Sequence, residues 1–361
     1  MSTNDNMLDL DDAWESFCDG DYKPTAVVNK KMPTASKDVP KCTPIYISTK
    51  TKISYLNYPI DLKSTFWNVP ITHYHIPKEG VIKKQMKFNS TSQEELDEVL
   101  SHCDNTVFTD HHILSRIVKP EGRITFRDIR KISQGLCKKD ITSYRCKRKG
   151  AFYNCFALIL RINFEDSFKE IHVKVFNTGK LEIPGIQDDA VLVKTLDLLI
   201  KTLQPLVPEK EKLQWLKNKS ETVLINSNFS CGFYINRDKL YNRLKYHYRI
   251  NSAYDPCSYP GIQCEFYYDP ESEVQTGQHP PSGISDEERE RFIKMSFMVF
   301  RTGSVLIVGK CKEDVLQKIY DFLKVLLENE YQTVGGGLIS NDDKNNDDKN
   351  KKVRKKTIFV S

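Results

Sequence analysis

The chain has 361 residues and a formal net charge of +6, and 39% of its residues are hydrophobic. That apolar share can supply the cores of two domain-sized units. Its longest apolar run, FALIL before Arg161, is far shorter than the roughly 20 residues that a membrane-spanning helix needs. The first residues lack the basic and apolar stretches of a secretory signal, so we expect a protein that is not secreted and ten reduced cysteines.

Both ends of the chain have the composition of disordered segments. Residues 1–40 combine an acidic opening with a Lys- and Pro-containing stretch that offers little apolar surface to bury. Residues 334–361 begin with three glycines and finish KNKKVRKKTIFVS, which indicates a basic tail. This tail could be a nuclear-localisation or DNA-tethering arm, or could serve solubility alone.

Between these ends, the chain contains an internal duplication. A shift of 124 positions aligns VFNTGKLEIPG (175–185) with VFRTGSVLIVG (299–309), and it aligns VLVKTLDLLIKTL (191–203) with VLQKIYDFLKVLL (315–327) without a gap. We therefore divide the body into a first repeat, 41–206, and a second repeat, 207–333.

Each repeat predicts the same order of elements. A run rich in β-branched and aromatic residues opens the repeat, at 45–56 in the first and 223–235 in the second. Later strands end at a turn containing Gly179 or Gly303, and a helix with apolar residues at helical spacing follows. This order predicts an α+β fold with an antiparallel sheet, helices on one face and an open second face. The first repeat carries a basic insertion at about 78–149, and the second a loop insertion at about 269–291.

An aromatic residue precedes the turn in both repeats. Side chains alternate along a strand, so Phe176 shares a face with His172 and Lys174, while Val173 and Val175 point towards the helices. A ring at a hairpin end can simply cover its neighbour. Recurrence at Phe300, at the same place relative to the turn, favours a binding surface.

These repeats resemble the TATA-box-binding protein (TBP) family, which has two tandem copies with an aromatic residue before a Gly-containing turn. A second match is YDPCSYPG (254–261), which is similar to the family's Tyr-Glu-Pro-Glu-Leu-Phe-Pro-Gly segment. The chain looks most like the divergent members from nucleocytoplasmic large DNA viruses.

The resemblance implies a pseudo-two-fold saddle whose curved sheet binds the minor groove of promoter DNA, with helices on the convex face. Aromatic wedges would partly unstack base steps and kink the duplex, at a cost of a few kcal/mol per step. Phe176, Tyr259 and Phe300 fill three wedge positions; the fourth falls on Cys155, and we choose its neighbour Phe156. The DNA-binding residues that we expect from the resemblance are Phe156, Arg161, Phe176, Lys180, Asn226, Tyr259, Phe300, Leu306 and Val308. Asn228 is an alternative to Asn226, and Ser48 or Thr49 stands at the matching position of the first repeat.

Several residues at the expected DNA contacts depart from the family pattern. Glu182 and Pro184 replace small apolar or Thr contacts, and a carboxylate there would repel DNA unless it is paired. Glu265 and Ser304 replace basic residues in the second repeat. These departures bear on the preference for TATA more than on DNA binding.

A basic cluster supports a polyanionic partner independently of the resemblance. Residues 116–149 contain 12 basic and three acidic residues. Such a cluster would raise nonspecific affinity through counterion release. A solvated charged surface is the alternative.

The sequence predicts no cofactor, metal or catalytic site. His102, Cys103, His111, His112, Cys137 and Cys146 lack the spacing of a zinc module, and Gly179-Lys180 lacks the rest of a P-loop. The resemblance implies a noncatalytic factor that acts as a monomer on AT-rich promoter DNA with a TFIIB-like factor and RNA polymerase, in the nucleus or a cytoplasmic virus factory. Two alternatives remain: a nucleic-acid-processing enzyme with this fold as an accessory domain, and a protein-interaction scaffold that no longer binds TATA.

Overall fold

The computed structural model describes residues 39–103, 107–142, 152–208 and 212–338. The predicted disordered segments lie almost wholly outside these ranges, as do the last four cations of the basic cluster. The ordered body extends slightly beyond its predicted end at residue 333, because a helix reaches Val334 and a short strand spans Gly335–Leu338.

The chain divides into two compact units, which we describe separately. The N-terminal unit contains Ile47–Ser227 and Gly309–Cys311, and the C-terminal unit contains residues 39–46, 228–308 and 312–338.

The strands and α-helices of the N-terminal unit are given first; part of a further strand, β8 Glu221–Ser230, also belongs to this unit. In chain order they are β1 Tyr46–Tyr55, α1 Leu62–Asn68, β2 Gly80–Ser90, α2 Gln93–Ser101, β3 Thr109–Val118, β4 Phe126–Gly135, α3 Lys138–Thr142, β5 Cys155–Phe164, β6 Ser167–Phe176, β7 Lys180–Ile186 and α4 Asp189–Leu203.

These strands form an antiparallel sheet in the order β1-β7-β6-β5-β2-β4-β3. The β6–β7 turn contains Gly179 at φ +79°, a conformation that glycine adopts without a steric cost. Helix α4 begins where Asp188 accepts a hydrogen bond from the Ala190 amide, 2.7 Å away. The predicted strand, glycine turn, strand and helix are therefore confirmed here.

One face of this sheet packs against the helices. Leu192, Leu196, Leu199 and Leu203 of α4 are buried, as the helical spacing predicted, together with Val173 and Val175 of β6. We call the opposite face of each unit's sheet its open face.

The predicted insertion in the first repeat, about 78–149, contains five described elements: β2, α2, β3, β4 and α3. Strand β2 begins at Gly80 and pairs with β5 on one side and with β4 on the other. Two consecutive lysines, Lys83 and Lys84, obscured the strand pattern of β2 in the sequence.

The C-terminal unit has its own elements. They are β8 Glu221–Ser230, whose first seven residues are counted with the N-terminal unit, β9 Phe233–Ile235, α5 Arg237–Asn242, β10 Asn251–Ala253, β11 Ile262–Tyr268, α6 Asp286–Glu290, β12 Ile293–Val299, β13 Ser304–Gly309, α7 Glu313–Val334 and β14 Gly335–Leu338.

Its main strands follow the order β10-β11-β12-β13, and β9 pairs with β14. Gly303, in the turn before β13, has φ +79°, and an added Cβ would lie 2.3 Å from the Phe233 carbonyl oxygen. Helix α7 buries Val315, Ile319 and Leu326. The hairpin and helix therefore recur, and the α+β class with antiparallel strands is confirmed.

No helix among the described residues is long and apolar enough to cross a membrane.

Candidate nucleic-acid interface

Strand register places Phe176 on the open face of the N-terminal unit. Phe176 lies directly across from Cys155 of β5, and it is partly exposed at the end of β6. The Lys180 ammonium lies 5.7 Å from the centroid of the Phe176 ring. A half-exposed ring next to a cation is a surface that can contact both a base step and a phosphate.

The carboxylate of Glu182 also lies on this face, and it is paired. Lys174 Nζ is 2.6 Å from Glu182 Oε1, and the two side chains are 23% and 28% exposed. The pair joins β6 to β7 at opposite positions of the ladder. The negative charge of Glu182 is therefore offset by Lys174, so this carboxylate need not repel DNA. The same ion pair partly neutralises the positive charge of Lys174.

His172 contributes no positive charge to the open face near neutral pH. Burial, followed by the nearby Lys174 ammonium, lowers the pKa of His172 to about 4. The imidazole is therefore neutral across the physiological range.

Arg161 was predicted to contact DNA, but its side chain does not reach the surface. Its side chain is on the open face but the residue is only 5% exposed. The guanidinium donates hydrogen bonds to the carbonyl oxygens of Tyr74 and Ile76, at 2.8 and 2.7 Å, and lies 4.8 Å from the Tyr74 ring. The expectation of a phosphate contact from Arg161 is corrected, because these internal acceptors occupy its donors.

A helix of the insertion covers neighbouring positions of the same face. Lys83 Nζ lies 2.7 and 2.8 Å from the two carboxylate oxygens of Asp140 in α3. Glu170 of β6 accepts a hydrogen bond from the Lys138 amide at 2.9 Å, and burial raises the pKa of Glu170. We call this region, with Arg161, the closed corner.

Phe156 is a core residue, so its choice as the fourth wedge is corrected. Its side chain is fully buried and its ring centroid lies 6.2 Å from that of Phe66. The alternating strand places Cys155 on the open face instead, opposite Phe176, with 5% exposure. Burial raises the pKa of the Cys155 thiol.

Asn226 is a partly buried residue of β8 with a bonded side chain. Its Nδ2 donates to Thr49 Oγ1 at 3.1 Å, and its backbone carbonyl accepts a hydrogen bond from the Ser48 hydroxyl at 3.0 Å. The bond to Thr49 uses one of the two N–H groups of this amide and fixes its orientation.

In the C-terminal unit, Tyr259 packs against Phe300. Their ring centroids are 5.9 Å apart at 66°, an edge-to-face arrangement. Tyr259 is 7% exposed and its hydroxyl lies 3.3 Å from Met298 Sδ, whereas Phe300 is partly exposed. Phe300 is thus the accessible member of this pair, and Tyr259 supports it.

Two further predicted residues lie on the same open face. Leu306 and Val308 are partly exposed on β13, while the alternating residues Val305 and Ile307 are buried. Their apolar side chains extend the surface that starts at Phe300.

Glu265, which replaces a basic residue of the family, is held in a polar cluster. Its carboxylate lies 2.5 Å from Lys294 Nζ and accepts hydrogen bonds from Asn251 at 2.7 Å and Tyr267 at 3.1 Å. Lys294, ahead of other contacts, lowers the pKa of Glu265. As with Glu182, a matching cation compensates the acidic replacement.

Sequence reasoning missed Lys84, a buried lysine on the helix side of β2. Its ammonium donates to the carbonyl oxygens of Phe66, Trp67 and Val69 at 2.7–3.0 Å, around the end of α1. Burial lowers its pKa to about 8. Its role is structural, because it satisfies carbonyls that the end of a helix leaves unpaired.

The described ranges contain no group of three or more His, Cys, Asp or Glu side chains arranged to hold a metal ion.

Comparisons with known proteins bear on the family. No family model matches the chain. It is 24% identical over 194 residues to a TATA-box-binding protein-like protein of Acanthamoeba polyphaga mimivirus, a match covering 51% of this chain. The chain spans about half the length of that curated relative, 50%. It is also similar to the solved Methanococcus jannaschii TBP, at 12% identity and a TM-score of 0.35, over 79% of this chain and 98% of that one.

The mimivirus match confirms the resemblance of this chain to TBP-like proteins, including divergent viral ones.

Proposed function

We propose that this TBP-like protein is a transcription initiation factor that binds promoter DNA in the minor groove and bends it with aromatic wedges. The observation that carries the proposal is the recurrence of a partly exposed Phe before a glycine turn, on the open face of each unit, at Phe176 and Phe300. A ring in this position can enter an unstacked base step while the adjacent strands contact the groove.

The electrostatics of the open faces support DNA binding without a strict TATA preference. Both acidic replacements are paired, Glu182 with Lys174 and Glu265 with Lys294, so neither presents an uncompensated carboxylate. The apolar contact is more complete in the C-terminal unit, where Phe300, Leu306 and Val308 are partly exposed. AT-rich duplexes that contain TA steps are the expected partners because these steps kink and unstack easily.

The segment 254–259 is the proposed binding surface for a TFIIB-like factor that recruits RNA polymerase. Asp255 organises it by accepting a hydrogen bond from the Cys257 amide at 3.0 Å, and Cys257 and Ser258 are exposed. These two residues differ from the family's acidic and apolar contacts, which favours a dedicated partner. The factor would act as a noncatalytic monomer on DNA, in the nucleus or a virus factory.

Fluorescence transfer between the ends of a labelled AT-rich duplex tests the wedge function. Phe176→Ala and Phe300→Ala should each reduce bending, because each removes a ring from a base step. Phe168→Ala is the matched control: Phe168 is on the same strand and face as Phe176, 46% exposed, but at the other end, beside Arg161. Bending that is unchanged in both wedge variants would refute the proposal.

A further inference from the structure

The β3–β4 hairpin of the N-terminal unit forms a basic ribbon to which the proposed function assigns no role. Its strands pair from Thr109 opposite Gln134 to Val118 opposite Phe126. The outer end, residues 116–127, contains four cations and one acid: Arg116, Lys119, Arg123, Arg127 and Glu121. Arg116, Lys119 and Arg123 are exposed and Arg127 is partly exposed.

The next carboxylate along the ribbon does not offset these cations. Asp128 is fully buried, and Arg130 binds both of its carboxylate oxygens at 2.6 and 2.8 Å. Arg116 lies farther away, at 3.8 Å, and its side chain is 49% exposed. The bidentate pair with Arg130 therefore neutralises Asp128 internally and leaves the outer end with a net positive charge.

The outer end of the ribbon extends beyond the strand ends of the sheet on the side where β6 ends at Phe176. Phe176 pairs with Cys155 of β5, and the next residue of β5, Phe156, pairs with Met86 of β2. Strand β2 therefore passes the level of Phe176 near residue 87 and continues to its end at Ser90. Ser90 lies opposite Asp128, and the ribbon continues beyond this last pair. Strand β4 lies three strand spacings from β6, and its first residue, Phe126, lies about five residues beyond the level of Phe176. These two offsets place Phe126 roughly 20 Å from Phe176.

We propose that the outer end of this ribbon binds the phosphate backbone of duplex DNA on the flank of the segment that Phe176 contacts. This inference rests on the proposed function for the position of the DNA. Charge complementarity selects the partner, because a cluster of exposed cations with one acid attracts a polyanion and releases its counterions. The contact carries no base readout, since phosphates are the same in every sequence.

The test compares two variants of the full chain with equal loss of charge. The ribbon variant is Lys119→Gln, Arg123→Gln and Arg127→Gln, which leaves the Asp128–Arg130 pair in place. The control variant is Lys63→Gln, Lys194→Gln and Lys201→Gln, three exposed lysines on α1 and α4. Affinity for an AT-rich duplex is measured over a salt titration, bending by fluorescence transfer, and backbone protection by hydroxyl-radical cleavage.

The ribbon variant should show a shallower salt dependence, by about 0.9 in log–log slope for each phosphate that the ribbon no longer neutralises. Protection should disappear on one flank of the site while bending by the wedges remains. The control variant should match the unmodified protein in flank protection and slope. A ribbon variant with an unchanged slope and footprint would overturn the inference while leaving the wedge proposal intact. Conversely, if slope and flank protection depended on the ribbon but the duplex did not bend, the wedge proposal would be refuted and the ribbon inference would stand. If the unmodified protein bound no duplex, both proposals would be refuted.

Discussion

Lys174 and Glu182 form a 2.6 Å ion pair across β6 and β7, on the open face beside Phe176. Glu182→Gln should release the ammonium to a phosphate. We expect tighter binding to duplex DNA and a log–log salt slope steeper by about 0.9, since one more counterion is released. Protein stability should change little, because partly exposed pairs contribute about 0–1 kcal/mol.

Equilibrium binding at several salt concentrations measures this effect. Glu98→Gln is the control, because Glu98 lies on α2, where it is exposed and 3.7 Å from Lys63 Nζ. If Glu182→Gln bound no more tightly than this control, Lys174 would not lie near a phosphate.

Phe156 and Phe176 should respond differently to truncation. Phe156→Ala should lower the free energy of unfolding by about 3–5 kcal/mol, because it leaves a cavity in a fully buried site. Phe176→Ala should cost much less stability, since its ring is partly exposed. Urea denaturation measures both, and equal losses would contradict the assignment of the two rings to opposite faces.

His172 should make stability depend on pH. Its pKa is about 4 in the folded protein, below the ordinary value of 6.5, so the unfolded chain binds the proton first. The stability contributed by the neutral imidazole is present above pH 6.5 and is lost as the pH falls towards 4, by up to about 3 kcal/mol. His172→Gln should lose less stability over this range.

An NMR titration of the His172 ring checks the cause directly. A midpoint near 6.5 would show that burial does not disfavour the charged form.

Gly303→Ala should destabilise the C-terminal unit by more than Gly283→Ala. Both glycines have positive φ, +79° and +96°, so both variants are strained. An added Cβ at Gly303 would also lie 2.3 Å from the Phe233 carbonyl oxygen, whereas Gly283 has nothing within 4 Å. Thermal unfolding of both variants measures the difference, and equal losses would mean that the backbone near Phe233 adjusts freely.

The repeated hairpin and helix could be predicted because local rules determine them. The turn glycines, the acidic helix start and the helical spacing of leucines act within a few residues of one another. The sequence could not show which residues of β5 point to the core, because FALIL is apolar at successive positions and no alternation is visible. The structure buries Phe156 and places Cys155 on the open face, one residue away from the predicted wedge.

Other errors came from contacts between residues distant in sequence. Arg161 is held by carbonyl groups at positions 74 and 76, more than 80 residues earlier, which no local pattern indicates. Lys84 similarly satisfies carbonyls at the end of α1, which lie 15 to 18 residues earlier in the chain.

The closed corner makes the two ends of the N-terminal unit's open face different. Arg161, Glu170 and Lys83 are engaged there by the chain's own carbonyls, amide and carboxylate, whereas the strand edge with Phe176 and Lys180 remains partly exposed. A ligand on this face would be stopped at one end and free to extend at the other. For a duplex on this face, added protein contacts would therefore lie on the flank beyond Phe176, not beyond Arg161.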